Sequence, residues 1–171
     1  MQAEPTFVVQ IHDASSLHFD FRLEVNGVLK SWAVPKGPSR DPRERRLAMP
    51  TEDHPLSYAA FEGVIAPGQY GAGAVIVWAE GTYTTEEPSM ADALARGHAS
   101  FHLRGRKLRG AYALTRTRRG ADREAWLLVR KREGRQPPAS KRRGVDPGRA
   151  RSVLTHRTLR QVAVESRESG P

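Results

Sequence analysis

Residues 18–25 (HFDFRLEV) alternate without a break between side chains that can bind a metal or a phosphate and side chains that bury. Successive side chains of an extended strand point to opposite faces. His18, Asp20 and Arg22 therefore share one face, about 7 Å apart at successive Cα atoms, and Phe19, Phe21 and Leu23 share the other. His12 ends the preceding apolar run FVVQIH and can approach from a neighbouring strand. Two imidazoles and a carboxylate make an N,N,O donor set suited to Mn²⁺, Fe²⁺ or Zn²⁺, with positions left open for water and substrate oxygens. Arg22 adds a planar, permanently charged fork that matches phosphate oxygens. The competing reading is a solvated strand face, but such a face more often carries Lys, Glu, Thr or Ser. The spacing alone is no metal signature, so both readings stand on local chemistry.

A second group follows at Glu52, Asp53 and His54, with Tyr58 four residues past the histidine. His54 can protonate a leaving oxygen or donate to a phosphate, and Tyr58 can donate to one. Taken alone, EDHP reads as a turn closed by local side-chain hydrogen bonds. Lys36 and Arg46 flank a proline-rich loop, where they are either surface charges or part of a phosphate clamp. The glycine-rich GQYGAG lacks the Lys-Ser/Thr ending of a P-loop and reads as turn chemistry. His98, His102 and His156 have no carboxylate at a useful spacing and read as structural or exposed.

The elements that must position these groups are mostly short strands. FVVQIH (7–12) and HFDFRLEV (18–25) come first, and Asn26-Gly27 supplies a hairpin turn to VLKSWAV (28–34). A loop runs to about residue 45, and RLAMP (46–50) is a short strand before the turn at Pro55. The stretch 63–73 reads as an irregular connection, and 74–84 as a strand with a break near Gly81. One helix is expected at MADALAR, capped by Ser89 and stopped by Gly97. Strands at 99–104, 107–117 and 125–131 follow, with Gly120 in the last turn. Short strands, frequent turns and one small helix make the chain mainly β, either an antiparallel barrel or a sandwich.

The bulk numbers bound the function. The 171 residues suffice for one domain with a core. With no cysteine, thiolate metal sites and disulfides are excluded. No apolar run is long enough to span a bilayer and the N-terminus lacks a leader pattern, so the expectation is a cytoplasmic protein without membrane partners. Net charge is +9, but residues 134–171 hold nine Lys/Arg against three Asp/Glu. The expected division is thus a domain over 1–133 and a basic, disordered tail over 134–171, with a short helix at 152–165.

The blocks FVVQIHDASSLHFDFRLEVNGVLKSWAVPKGPS, EDHPLSYAAFEGVI and YGAGAVIVW closely resemble the 3′-phosphoesterase domain of bacterial DNA ligase D and its relatives, over about residues 7–131. The resemblance implies a compact antiparallel β-barrel with one or two small peripheral helices. It implies a 3′-phosphatase, with a further 3′-ribonuclease step, acting on DNA or RNA-terminated DNA ends in bacterial non-homologous end joining, near the nucleoid. His12, His18 and Asp20 then stand as manganese ligands. Arg22 and His54 stand as phosphate-contacting catalytic residues beside Tyr58, Lys36 and Arg46 as auxiliary phosphate contacts, and Gln10 and Glu52 as supporting polar groups, Gln10 on the phosphate side. Ile11, Ser16 and Phe19 occupy positions where the family would carry Lys, Arg and Tyr, which implies a less basic rim. With no ligase or polymerase module in these residues, the chain resembles a free-standing member that works with a separate ligase, polymerase or end-binding protein. Two other readings use the same residues: a non-catalytic end-binding module that recruits such a partner, and a metal-dependent phosphodiesterase acting on RNA or a small phosphorylated ligand.

Overall fold

The strands close on themselves into a barrel. A computed structural model describes residues 3–68, 72–118, 124–134 and 144–168. It contains β1 (Thr6–Asp13), β2 (Leu17–Val25), β3 (Val28–Val34), β4 (Arg46–Pro55), β5 (Gly63–Ile65), β6 (Gly73–Thr84), β7 (His98–Gly105), β8 (Arg109–Arg118) and β9 (Ala125–Arg130). Two α-helices, α1 (Met90–Arg96) and α2 (Leu159–Glu168), and a 3₁₀ turn at Leu56–Ala60 complete the described elements. The pairing order is β1-β2-β3-β4-β9-β8-β7-β6, and β6 pairs back onto β1. Eight antiparallel strands thus form a closed barrel, and β5 is added to the end of β6.

Alternation decides what faces inward. Phe7, Val9 and Ile11 of β1 and Phe19, Phe21 and Leu23 of β2 enter the main core, none more than 1% exposed. Each such side chain contributes about 1.5–3 kcal/mol on burial, and a one-residue slip would drive Asp20 and Arg22 into the barrel instead. The register is therefore strongly specified, and the polar row is held on the outer wall. Asn26 (φ 51°) and Gly27 (φ 84°) both adopt the left-handed conformation that a tight two-residue hairpin turn requires. Ser89 caps α1 by accepting from Asp92 N, and Gly97 ends it at φ 93°.

Several expectations need correction. β4 continues through Glu52, Asp53 and His54 to Pro55, so these residues lie in a strand and not in a turn, with His54 opposite Leu29 of β3. β6 does not break at Gly81: the absent side chain lets Arg104 O of β7 approach where a Cβ would stand. Instead, the β1–β6 register shifts between Val9 and Gln10. Ile11 and Phe19 are core residues and take no part in the rim, whereas Ser16 is exposed. The turn at Gly120 lies outside the described residues.

The C-terminal segment differs most. Residues 135–143 lie outside the described residues, but 144–168 pack on the barrel: Ala150, Leu159 and Val162 are buried in the main core. Val153 N donates to Val77 O of β6 at 2.8 Å. The helix begins at Leu159, later than expected, because Thr158 and Gln161 form a reciprocal cap: Gln161 N donates to Thr158 Oγ1 and Thr158 N to Gln161 Oε1. Upstream, Ser152 Oγ accepts from Leu154 N and Thr155 N and holds a turn there. No helix among the described residues is long and apolar enough to cross a membrane.

Candidate active site

The β1–β2 register sets His12 directly opposite His18 and Gln10 opposite Asp20. The side chains of His12, His18 and Asp20 leave the outer wall of the barrel into a cleft of about 450 Å³, which His54 and Thr51 of β4 also border. One donor atom each from His12, His18 and Asp20 all lie within 4.8 Å of one another. His18 Nε2 is 3.2 Å from Asp20 Oδ1, and His12 Nδ1 is 3.6 Å from Asp20 Oδ2. Ligands bound at about 2.0–2.2 Å to one cation stand roughly 3–3.5 Å apart, so the set fits a divalent transition metal with little adjustment.

The protonation states suit that role. Burial opposes ionisation of Asp20, but hydrogen bonds from His12 and His18 and the charge of Arg22 outweigh it and hold the carboxyl well below the usual range. His18 Nδ1 is 3.0 Å from Ser16 O, which can only accept, so Nδ1 carries a proton and Nε2 is the metal-facing atom. The hydrogen bond to Asp20 raises the His18 pKa against the effect of burial. The contact with Asp20 thus favours a proton on His18 Nε2, and a cation at that atom competes with it.

Arg22 is the second feature. Its side chain is only 4% exposed, and a buried guanidinium is tolerated only where its donors are satisfied. Nε donates to Gln10 Oε1 at 2.6 Å, Nη1 to Ser31 Oγ at 2.8 Å, and Nη2 lies 3.4 Å from Asp20 Oδ2. The Tyr58 ring lies beneath the guanidinium, its centroid 5.0 Å from Cζ. Tyr58 stacks on Phe61 and tilts against His54, with centroids 4.9 and 4.7 Å away. It braces Arg22 and His54 rather than lining the cleft, and burial raises its pKa, so the phenol stays protonated.

His54 Nδ1 lies 2.9 Å from Glu52 O and 3.2 Å from Arg22 Nη1. A carbonyl only accepts and a guanidinium only donates, so only one of these is a hydrogen bond at a time. Donation from Arg22 places the ring proton on Nε2, the nitrogen left for the cleft. Burial, then the charge of Arg22, lowers the His54 pKa, so the ring is neutral at neutral pH yet can still donate from Nε2.

The other expected residues take different places. Gln10 is fully buried and its Nε2 donates to Tyr58 O and Phe61 O, so it supports Arg22 and does not reach a phosphate. Glu52 is exposed and meets His54 through its carbonyl and the field of its carboxylate. Lys36 is exposed beyond β3, and Arg46 bonds Glu44 and Lys36 O; neither lines the cleft. The sequence reading missed Ser31, Thr51 and Glu62. Ser31 was findable, since hairpin pairing about Asn26-Gly27 sets it opposite Arg22. Glu62 carried no local signal.

The chain is similar to known proteins over most of its length. The profile of the DNA Ligase D 3′-phosphoesterase domain matches residues 10–116. The multifunctional non-homologous end joining protein LigD of Pseudomonas aeruginosa is 51% identical over 154 residues, 90% of this chain and 18% of the relative. The corresponding DNA repair protein of Mycobacterium tuberculosis is 50% identical over 125 residues, 73% of this chain and 16% of the relative. That of Mycolicibacterium smegmatis is 45% identical over 117 residues, 66% and 15% of the two chains. The chain thus spans less than a fifth of the length of these relatives.

Proposed function

The chain belongs to the DNA ligase D 3′-phosphoesterase domain family, and on that premise we propose that it is a manganese-dependent phosphoesterase that processes 3′-phosphorylated DNA ends in non-homologous end joining. The observation that carries the reading is the convergence of an N,N,O donor set and a buried, braced arginine on one open cleft.

In this reading His12 Nδ1, His18 Nε2 and an Asp20 oxygen hold the cation. What a bound divalent cation supplies there is Lewis-acid stabilisation of charge developing on the phosphoryl oxygens. Arg22, locked by Gln10 and Ser31, presents its remaining Nη2 N–H to a non-bridging oxygen without reorganising, which is where fixed donors are most effective. His54 donates from Nε2 to another oxygen or to the leaving 3′-oxygen, in the tautomer set by Arg22 Nη1 donating to Nδ1. Tyr58 keeps both groups aligned. Lys36 meets the nucleic acid outside the cleft, and Arg46 orders the loop through Glu44. The 3′-ribonuclease step uses the same centre, and a ligase seals the resulting hydroxyl.

The test is a primer–template with one 3′-terminal ribonucleotide, incubated with Mn²⁺ beside the same primer ending in a 3′-phosphate. Conversion of the phosphate end to a 3′-hydroxyl is expected, and shortening of the ribonucleotide end reports the second step. Binding without any conversion would replace this reading with that of an end-binding module.

A further inference from the structure

A second cleft, of about 410 Å³, opens at the β7–β8 turn and is lined by Arg40, Arg106, Lys107, Arg109 and Arg130, with His102 and Gly110. Five cations around one concavity require a reason, because like charges at close range repel. Burial, then the charge of Arg40, lowers the Lys107 pKa, so the repulsion is felt locally.

The inner cations are held mainly by neutral groups. Arg40 Nη2 donates to Lys107 O at 2.6 Å, and Lys107 Nζ donates to Arg151 O at 2.5 Å. Lys107 also lies over the Trp78 ring, 5.8 Å from its centroid. Arg130 Nη1 donates to Arg109 O and its guanidinium lies over Tyr112. Glu133 borders this group, 3.9 Å from Arg130 and 3.7 Å from His102. Carbonyls and ring faces orient these side chains without cancelling their charge. Arg106 and Arg109 are exposed at the lip.

The cleft's position relative to the active site gives it a meaning. Trp78, beneath Lys107, meets Phe19 edge to face at 5.9 Å. Phe19 points into the barrel between His18 and Asp20, which point out. The basic cleft and the active-site cleft therefore flank the same end of the barrel, separated by its wall. A nucleic acid whose 3′ end enters the active site continues as a chain of phosphates, and this end of the barrel is where that chain meets fixed positive charge.

We propose that the Arg40–Arg106–Lys107–Arg109–Arg130 cleft binds the sugar–phosphate backbone of duplex DNA adjoining the 3′ end held in the active site. The assignment rests on the end-processing reading but is tested by binding alone, so each can fail without the other. The probe is a labelled primer–template with an unreactive 3′-hydroxyl, its Kd measured by fluorescence anisotropy across a range of salt concentrations. For Arg106→Ala/Arg109→Ala the expectation is a several-fold weaker Kd and a salt slope shallower by about 2, one for each lost phosphate contact. Arg96→Ala/Arg160→Ala removes equal charge at exposed positions of α1 and α2, and should leave the slope unchanged. Arg106→Lys/Arg109→Lys should keep it, since a lysine point charge serves a phosphate. An unchanged Kd and slope in the first variant overturns the proposal, as does an equal loss in the second, which would reduce the effect to net charge.

Discussion

Gln10 Oε1 accepts from Arg22 Nε at 2.6 Å, and through this bond a fully buried amide of β1 fixes the guanidinium carried by β2. The same amide donates to Tyr58 O and Phe61 O, which joins the 3₁₀ turn to both strands. Substituting Leu for Gln10 removes an acceptor from a buried charge and takes the side-chain donor from Phe61 O and Tyr58 O, the latter keeping its bond from Phe61 N. Hydrogen bonds to charged groups contribute about 1.5–3 kcal/mol, so a loss of that order is expected in denaturant unfolding. Turnover should fall more than KM rises, because Arg22 remains present but loses its orientation. Wild-type kcat in Gln10→Leu would show that Arg22 needs no such support.

The C-terminal segment is tied to this same arrangement. Glu62 follows Phe61, has a side chain only 5% exposed, and accepts from Val77 N, Thr155 Oγ1 and Arg157 Nη2. Glu62→Ala leaves the buried Val77 amide unpaired, which costs about 1–3 kcal/mol, and also releases Thr155 and Arg157. Arg157→Ala should cost less, since Arg157 is partly exposed and its ion pairs are screened. Urea midpoints should fall in that order, with Glu62→Ala the more sensitive to proteolysis in residues 152–168. The reverse order would place the energy in the surface pair.

Metal binding and folding should respond to pH in opposite directions. In the metal-free protein the His18 pKa is raised above 6.5, so its contribution to stability is full below that value and is lost as pH rises through the raised one. A cation needs the deprotonated ring, so manganese affinity should rise with pH over the same interval and binding should release a proton. Calorimetric titrations below pH 6.5, where the metal-free ring is mostly protonated, in two buffers of different ionisation enthalpy measure the release directly. Identical heats in both buffers, after correction for dilution, would contradict the assignment of His18 as a ligand.

The polar row was legible because strand alternation is a local rule. HFDFRLEV needs only an inward Phe19 and Phe21 to set His18, Asp20 and Arg22 outward together, and Asn26-Gly27 announces the hairpin. His54 was harder, since EDHP favours a turn locally and only the pairing of β4 with β3 draws it into a strand. That pairing includes a register shift between Leu29 and Ser31, which no periodicity reveals. Gln10 was placed on the phosphate side by the family resemblance, whereas its burial depends on the 3₁₀ turn folding over it. The C-terminal segment looked irregular because its buried residues, Ala150, Leu159 and Val162, are scattered among polar ones. Its capping pair Thr158 and Gln161 was nevertheless present to be read.

The most direct measurement of the central claim is manganese-dependent phosphate release from a primer–template ending in a 3′-phosphate, compared among wild type, His18→Ala and Asp20→Ala. The account predicts release by the wild type and a fall of more than about a hundredfold in both variants, beyond the loss that follows from disturbing only a metal's supporting shell. Full manganese-dependent release by both variants would contradict it.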